Sequence, residues 1–195
     1  MAVDGPALLV PYNLAWPAIA EAILDELRSS LPGDRFVFEH IGSTAVPGIS
    51  AKNTIDLQIQ VPTLPSYEEL DAGIGSLGFV QATASRPDSP GVYRDLPRGS
   101  ENVDDEVWEK RLYFRPGNPP VILHVRRLDS PFGRYTLWFR DWLRDNDAQR
   151  DRYEQVKQQL AVLHASDPDY DDYTRGKTTY LDEVQPTFEA WARRR

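Results

Sequence analysis

No cysteine occurs in the 195 residues, which excludes disulfides, thiolate nucleophiles and thiolate-held zinc or iron–sulfur centres. Positive charge is also in short supply. There are 22 Lys and Arg against 30 Asp and Glu, a net charge of −8 with histidine neutral. That balance argues against a protein that coats nucleic acid or an anionic membrane surface, so any anion must be held by a local cluster of residues. No apolar run approaches the roughly 20 residues of a membrane span. The stretch Met1–Val10 has no basic region ahead of its short apolar run. Internal repeats are absent as well, and the expectation is a soluble cytoplasmic protein with no membrane partner. What is present is a chain 41% hydrophobic and 11% aromatic, with five Trp and nine Tyr, which is the composition of a packed domain. The length suits one domain with a sizeable core.

After Pro11 and Tyr12, the residues Ile19, Ile23, Leu24, Leu27 and Leu31 recur at helical spacing, with Pro17 suited to the first turn. That helix is expected to end near Pro32-Gly33. Phe36–Ile41 reads as a strand, followed by a loop from Gly42 to Asn53. In Ile55–Val61, Ile55, Leu57, Ile59 and Val61 alternate strictly with Asp56, Gln58 and Gln60. This period of two predicts a strand with one face packed and the other open. Ser66 and Glu69 have capping-box spacing ahead of Leu70, Ile74 and Leu77, a short helix ending at Gly78. Phe79–Thr83 is a further strand candidate. Residues 85–105 are rich in Pro and Gly and poor in apolar anchors, which fits either a functional flap or a loose excursion. Lys110–Arg115 and Val121–Arg126 read as strands joined by the turn at 116–120. Three helical stretches follow, Phe132–Arg144, Ala148–Ala165 and Asp169–Val184, with Pro186 expected to interrupt before a last short turn. Strands first and helices after predict an α+β protein with a small mixed β-sheet flanked by helices and a C-terminal helical bundle. The domain is expected to run over 1–195, with the sheet-containing core in 1–128 and the C-terminal helices in 129–195.

A strand that runs into Gly42-Ser43-Thr44 exposes backbone N–H groups and two hydroxyls, which can cradle phosphate oxygens without net positive charge. Asp56 follows on the polar face of the next strand, where a carboxylate could hold a divalent cation against those phosphates. The plain alternative is a strand–turn–strand connection whose Gly, Ser and Pro serve geometry alone.

Gly42-Ser43, a spacer and Asp56 in an apolar strand resemble the signature of the nucleotidyltransferase (polymerase-β-like) fold. The longer string from His40 through Gly42, Ser43, Thr44, Pro47 and Gly48 to Lys52, continued by Ile55-Asp56-Leu57, closely resembles the GrpB family, also called UPF0157. The resemblance extends from Pro11-Tyr12 and Trp16-Pro17, through Leu123-His124-Val125 and Phe139–Leu143, to Tyr173 and Gly176-Lys177, nearly the whole chain. Members of that family occur alone or fused behind dephospho-CoA kinase. The resemblance implies a nucleotidyltransferase-like fold and metal-dependent transfer of a nucleotidyl group. A catalysing member pairs two acids as Asp-x-Asp or Asp-x-Glu, whereas here the second position is Gln58, so one metal or none fits better than two.

On this reading Asp56 holds Mg²⁺ and orients the attacking group, His124 assists proton transfer, and Gly42, Ser43 and Thr44 grip phosphates. His40 reads as a phosphate contact or as a loop brace. Lys52 and Lys177 read as point charges for a phosphate or as solvated surface lysines. Arg111, which shares a strand face with Arg115, resembles the family's basic strand position. Arg140-Asp141 reads as an internal ion pair and the stripe Tyr135–Trp142 as core. Three functions stay open: a nucleotidyltransferase acting on a nucleotide with an unknown acceptor; a catalytically degenerate ligand-binding or protein-folding accessory module; and another group-transfer enzyme using the same cleft.

Overall fold

In the computed structural model, the residues described are 5–31, 36–83, 91–99 and 101–195. The first helix, α1 (Trp16–Ser30), places Pro17 in its first turn and buries Trp16, Ala20, Ile23, Leu24 and Leu27. Its expected end at Pro32-Gly33 lies outside the described residues. Strands β1 (Val37–Ile41) and β2 (Ile55–Val61) follow, separated by a 3₁₀ turn at Ser43–Ala45. The Ser66/Glu69 capping box closes in both directions at the start of α2 (Tyr67–Ile74). A further 3₁₀ turn ends at left-handed Gly78. The strand expected over Phe79–Thr83 is reduced to β3 (Val80–Gln81). Strands β4 (Lys110–Arg115) and β5 (Val121–Arg127) precede α3 (Pro131–Asp145), α4 (Asp147–Leu163) and α5 (Asp171–Ala192).

The sheet has five strands in the order β1-β2-β5-β4-β3. It is mixed: β2 and β5 run parallel, and the other pairs are antiparallel. One face is apolar. Leu57, Ile59, Leu123, Val125 and Tyr113, each fully buried, pack with Trp16, Leu24 and Leu27 of α1 and with Leu70 and Ile74 of α2. Full burial of each such aliphatic side chain favours folding by about 1.5–3 kcal/mol relative to exposure.

The other face departs from expectation. Alternation in β2 predicts an open polar face, yet Gln58 is 0% and Gln60 5% exposed. The cover comes from later in the chain. Gln58 donates from Nε2 to the Gly133 carbonyl of α3 at 3.1 Å, and a Cβ at Gly133 would lie 2.7 Å from Nε2 of Gln60. Glycine at 133 is what lets this helix sit so close to the sheet. Around α3, α4 and α5 a second, aromatic cluster forms from Tyr135, Trp142, Tyr153, Tyr180 and Phe188, joined by Val46, Ile49 and Trp108 from the sheet-bearing part.

One open alternative is narrowed and one expectation is overturned. The stretch 91–99 is anchored: the Asp95 amide donates to Trp108 O at 2.9 Å, the Lys110 amide donates to Tyr93 O at 3.0 Å, and Val92 and Asp95 are buried. Residues 85–90 and 100 of the expected excursion lie outside the described residues. Pro186 does not interrupt α5, which continues to Ala192. Proline removes one intrahelical donor, but Val184 and Phe188 on either side are locked in the aromatic cluster, and packing outweighs the local penalty.

Replacing Pro186 by alanine is expected to stabilise the protein by about 1–2 kcal/mol. That is the roughly 3 kcal/mol helix-interior penalty, reduced by the unfolded-state restriction that proline supplies. A higher urea midpoint checks it; a lower one contradicts it.

Candidate active site at the enclosed face of the sheet

Strand β1 ends at Ile41, opposite Asp56 in the register. The chain then turns through Gly42, whose φ of +73° favours glycine, into the 3₁₀ turn. A Cβ at Gly42 would lie 2.4 Å from Oδ2 of Asp56. The Gly42-Ser43 bend and the Asp56 carboxylate are therefore in direct apposition, and a side chain at 42 would displace the acid. The turn itself offers few donors, because the amides of Ala45 and Val46 bond back to the carbonyls of Gly42 and Ser43.

Beside this apposition lies a cavity with two connected chambers, of about 370 Å³ and about 210 Å³. Asp56, His124, Arg126, Tyr153 and Lys177 line both. The larger chamber adds Lys52, Arg98 and Lys110. Burial pushes the Asp56 carboxyl up from its ordinary value, against the pull of Lys52, Lys177, Arg126 and Lys110. Burial and the neighbouring Lys177 bring the Lys52 ammonium down to about 8. Lys110 also falls to about 8, through burial, with Asp95 resisting and Arg126 assisting. Lys177 is lowered by burial, with Asp56 alone opposing.

Asp56, Lys52 and Lys177 make no hydrogen bond or ion pair within 4 Å among the described residues. Lys52 Nζ instead sits 3.4 Å from the ring centroid of Tyr170, and Lys177 Nζ sits 4.8 Å from that of Tyr173. Half-buried charges without partners among the described residues, opening into one cavity, mark a candidate ligand site.

Beneath them is a closed network. Arg126, 1% exposed, donates from Nε and Nη2 to the two oxygens of Asp95 at 2.6 and 2.9 Å and from Nη1 to Gln58 Oε1 at 2.8 Å. Lys110 reaches the same carboxylate at 2.9 Å. Burial pushes the Asp95 carboxyl up, but Arg126 and Lys110 overrule it and hold it well below the ordinary carboxylate range. Gln58 Oε1 also accepts from Thr136 at 3.0 Å. His124 Nδ1 lies 3.4 Å from Lys110 Nζ and 3.3 Å from Arg126 Nη2. Ammonium and guanidinium only donate, so Nδ1 is the acceptor and Nε2 carries the proton. Burial first, then Arg126 and Lys110, keep this imidazole neutral, its pKa well below the usual value.

Several sequence candidates stand elsewhere. His40 is on the opposite strand face, paired with Leu57, and its Nε2 meets Thr44 Oγ1 at 2.9 Å. Burial and the charges of Arg144 and Arg140 lower it to about 4. It braces the loop and lines neither chamber. Thr44, 1% exposed, is committed to that bond. Arg111 also points to the other face, where it donates to Pro65 O at 3.0 Å and lies over Tyr67. The basic group of β4 that faces the cavity is its neighbour Lys110, opposite Arg126 in the register. Parity with Arg126, which shares a face with His124, was the available signal for Lys110. Nothing in the local pattern marks Asp95, Tyr153 or Tyr170.

A divalent cation fits this donor set poorly. Hard cations take several oxygen ligands, whereas here, among the described residues, Asp56 is the one unpaired carboxylate beside the turn, within reach of four cationic side chains. Asp95 and Gln58 are held by Arg126, and His124 turns Nδ1 toward cations. Among the described residues no group of three or more His, Asp or Glu could hold a metal.

The family model described as GrpB protein matches residues 6–186. The chain belongs to the GrpB family. A dephospho-CoA kinase of Mycolicibacterium paratuberculosis is 32% identical over 198 residues, covering 96% of this GrpB-family chain and 47% of that protein. The dephospho-CoA kinase of Mycobacterium bovis is 30% identical over 96% of this chain and 47% of its own length. This chain thus spans about half the length of those relatives. A UPF0157 protein of Pseudomonas aeruginosa is 31% identical over 175 residues, 87% of this chain and 62% of that one. The crystal structure of the conserved protein GrpB from Enterococcus faecalis has a similar fold. It gives a TM-score of 0.71 at 22% identity, over 94% of this chain and 99% of that chain.

Removing the Asp95 carboxylate leaves Arg126 and Lys110 buried without an anion. Asp95→Ala is therefore expected to cost about 3–5 kcal/mol in urea unfolding, and Asp95→Asn a large part of it. A loss below about 1 kcal/mol for Asp95→Ala would contradict the role assigned to this network.

Proposed function

We propose that this GrpB-family chain is a binding module for a phosphorylated small molecule, held by ammonium groups without a bridging metal. The observation that carries the reading is the pair of half-buried lysines, Lys52 and Lys177, which among the described residues have no carboxylate within 4 Å and open into the cavity beside the Gly42-Ser43 bend. A compact anion between them would supply the missing counter-charge, and raising their depressed pKa values is part of the binding energy. His124 Nε2–H adds a neutral donor from the cavity floor. Ser43, which lines the inner chamber, adds a hydroxyl.

The Gly42/Asp56 apposition also supports a polymerase-β-like reading of the fold, in which the pocket descends from a nucleotidyltransferase cleft. On that view Gln58, bonded on both sides to Arg126 and Gly133, stands where a second acid would be. The site then retains the anion grip and lacks the charge for metal-assisted transfer. Relatives named dephospho-CoA kinase carry a domain like this one in about half their length, which suits an accessory ligand-binding role.

Thermal unfolding with pyrophosphate or ADP in EDTA tests the reading. At about 100 times Kd the ligand adds about 2.7 kcal/mol, or roughly 5–10 °C in Tm for a chain of this length. Lys177→Ala and Lys52→Ala are expected to abolish the shift, and added Mg²⁺ to leave it no larger. A shift that needs Mg²⁺ and vanishes in Asp56→Asn, yet survives both lysine variants, would favour the metal-dependent transferase instead.

The pH dependence has a definite sign. Lys52 and Lys110 lose their protons near pH 8, and only the ammonium form attracts an anion. Affinity for sulfate, whose own charge is constant over this range, is expected to fall as pH rises from 7 to 9. Titration calorimetry showing a flat profile would contradict it.

A further inference from the structure

The two chambers differ in chemistry. The larger carries the lysines. The inner one is walled by Ile41, Val46, Phe139 and Leu143, with Leu181 at the junction. Asp56, His124, Arg126, Tyr153 and Lys177 also line it but are shared with the larger chamber; the polar side chains it has to itself are engaged. The Thr136 hydroxyl lies 2.9 Å from the Gly133 carbonyl and 3.0 Å from Gln58 Oε1. The Arg140 guanidinium donates to Glu39 at 2.6 Å, to His40 O at 2.8 Å and to Asp141 at 2.7 Å. The Ser43 hydroxyl stands beside Tyr153, whose pKa it moderates. A nucleobase placed there would find few free donors or acceptors for its edge, and its unpaired polar groups would weaken binding. A ring-sized hydrocarbon would lose nothing and gain the burial.

Lys177 and Asp56 line both chambers, whereas Lys52 lines the larger alone. An anion seated between the two lysines therefore has its substituent at the mouth of the inner chamber. We infer that the ligand is amphiphilic: a phosphate ester whose anionic oxygens meet Lys52 and Lys177 and whose compact apolar or aromatic substituent fills the inner chamber. This inference rests on the anion-binding reading above and narrows it from any phosphorylated molecule to one class.

A ladder of probes on the wild-type chain tests it: inorganic phosphate, methyl phosphate, phenyl phosphate and AMP, titrated calorimetrically in EDTA at pH 7. Phenyl phosphate is expected to bind about tenfold or more tighter than inorganic phosphate, with methyl phosphate between them and AMP gaining less than phenyl phosphate. Val46→Leu, which narrows the inner chamber, is expected to bring the phenyl-to-inorganic ratio toward one. Equal affinity for inorganic and phenyl phosphate in the wild type overturns the amphiphile while leaving the anion site standing. A gain for AMP as large as that for phenyl phosphate, lost in Val46→Leu, overturns the exclusion of a nucleobase. Binding of none of the four probes overturns the anion-binding reading itself.

Discussion

An enclosed excess of positive charge on one face of the sheet is the constraint around which this molecule is arranged. The chain as a whole is acidic, with 30 Asp and Glu against 22 Lys and Arg. Yet the larger chamber gathers Lys52, Arg98, Lys110, Arg126 and Lys177 against Asp56, Asp95 and Asp171. Enclosing cations is costly unless each is paired and hydrogen-bonded. Arg126 and Lys110 meet that requirement through Asp95, and Arg98 through Asp182 at 3.1 Å. Among the described residues Lys52 and Lys177 find no such partner. The fold keeps two ammonium groups short of counter-charge where a small molecule can supply it.

The same constraint bears on how the Gly42-Ser43 and Asp56 motif is read. Gly42, Ser43 and Asp56 come together, as nucleotide-transferring sites require. The neighbours decide what the constellation can do. Gln58 accepts from Arg126 and Thr136 and donates to Gly133, so it anchors α3 to the sheet and fixes the guanidinium that grips Asp95. An acid at that position would find Arg126 already in contact. His124 has its Nδ1 turned to cations and presents an N–H to the cavity. A donor-rich floor around one carboxylate suits an anion better than a cation.

Much of the frame is legible in the residues. Strict alternation in Ile55–Val61 places β2, and Ser66/Glu69 places the start of α2, because both depend on local geometry. The fate of the polar face is not local. It depends on Gly133 allowing α3 to approach and on Asp95 arriving from a Pro- and Gly-rich stretch, contacts between residues 75 and 31 apart in sequence that no periodicity encodes. The basic position of β4 turns on a single step of register, since Lys110 and Arg111 are adjacent and point to opposite faces. Continuation of α5 through Pro186 likewise reflects tertiary packing winning over a local signal.

The most direct measurement is NMR titration of the lysine side chains, isotope-labelled at Nζ and Cε, with and without inorganic phosphate. Among the depressed ammonium groups, which include Lys110 and Lys157, those assigned to Lys52 and Lys177 by substitution are each expected to rise when phosphate is added in the absence of divalent metal. Lysines that titrate near their ordinary 10.5, or depressed values that phosphate leaves unmoved, would contradict an anion site built on these two residues.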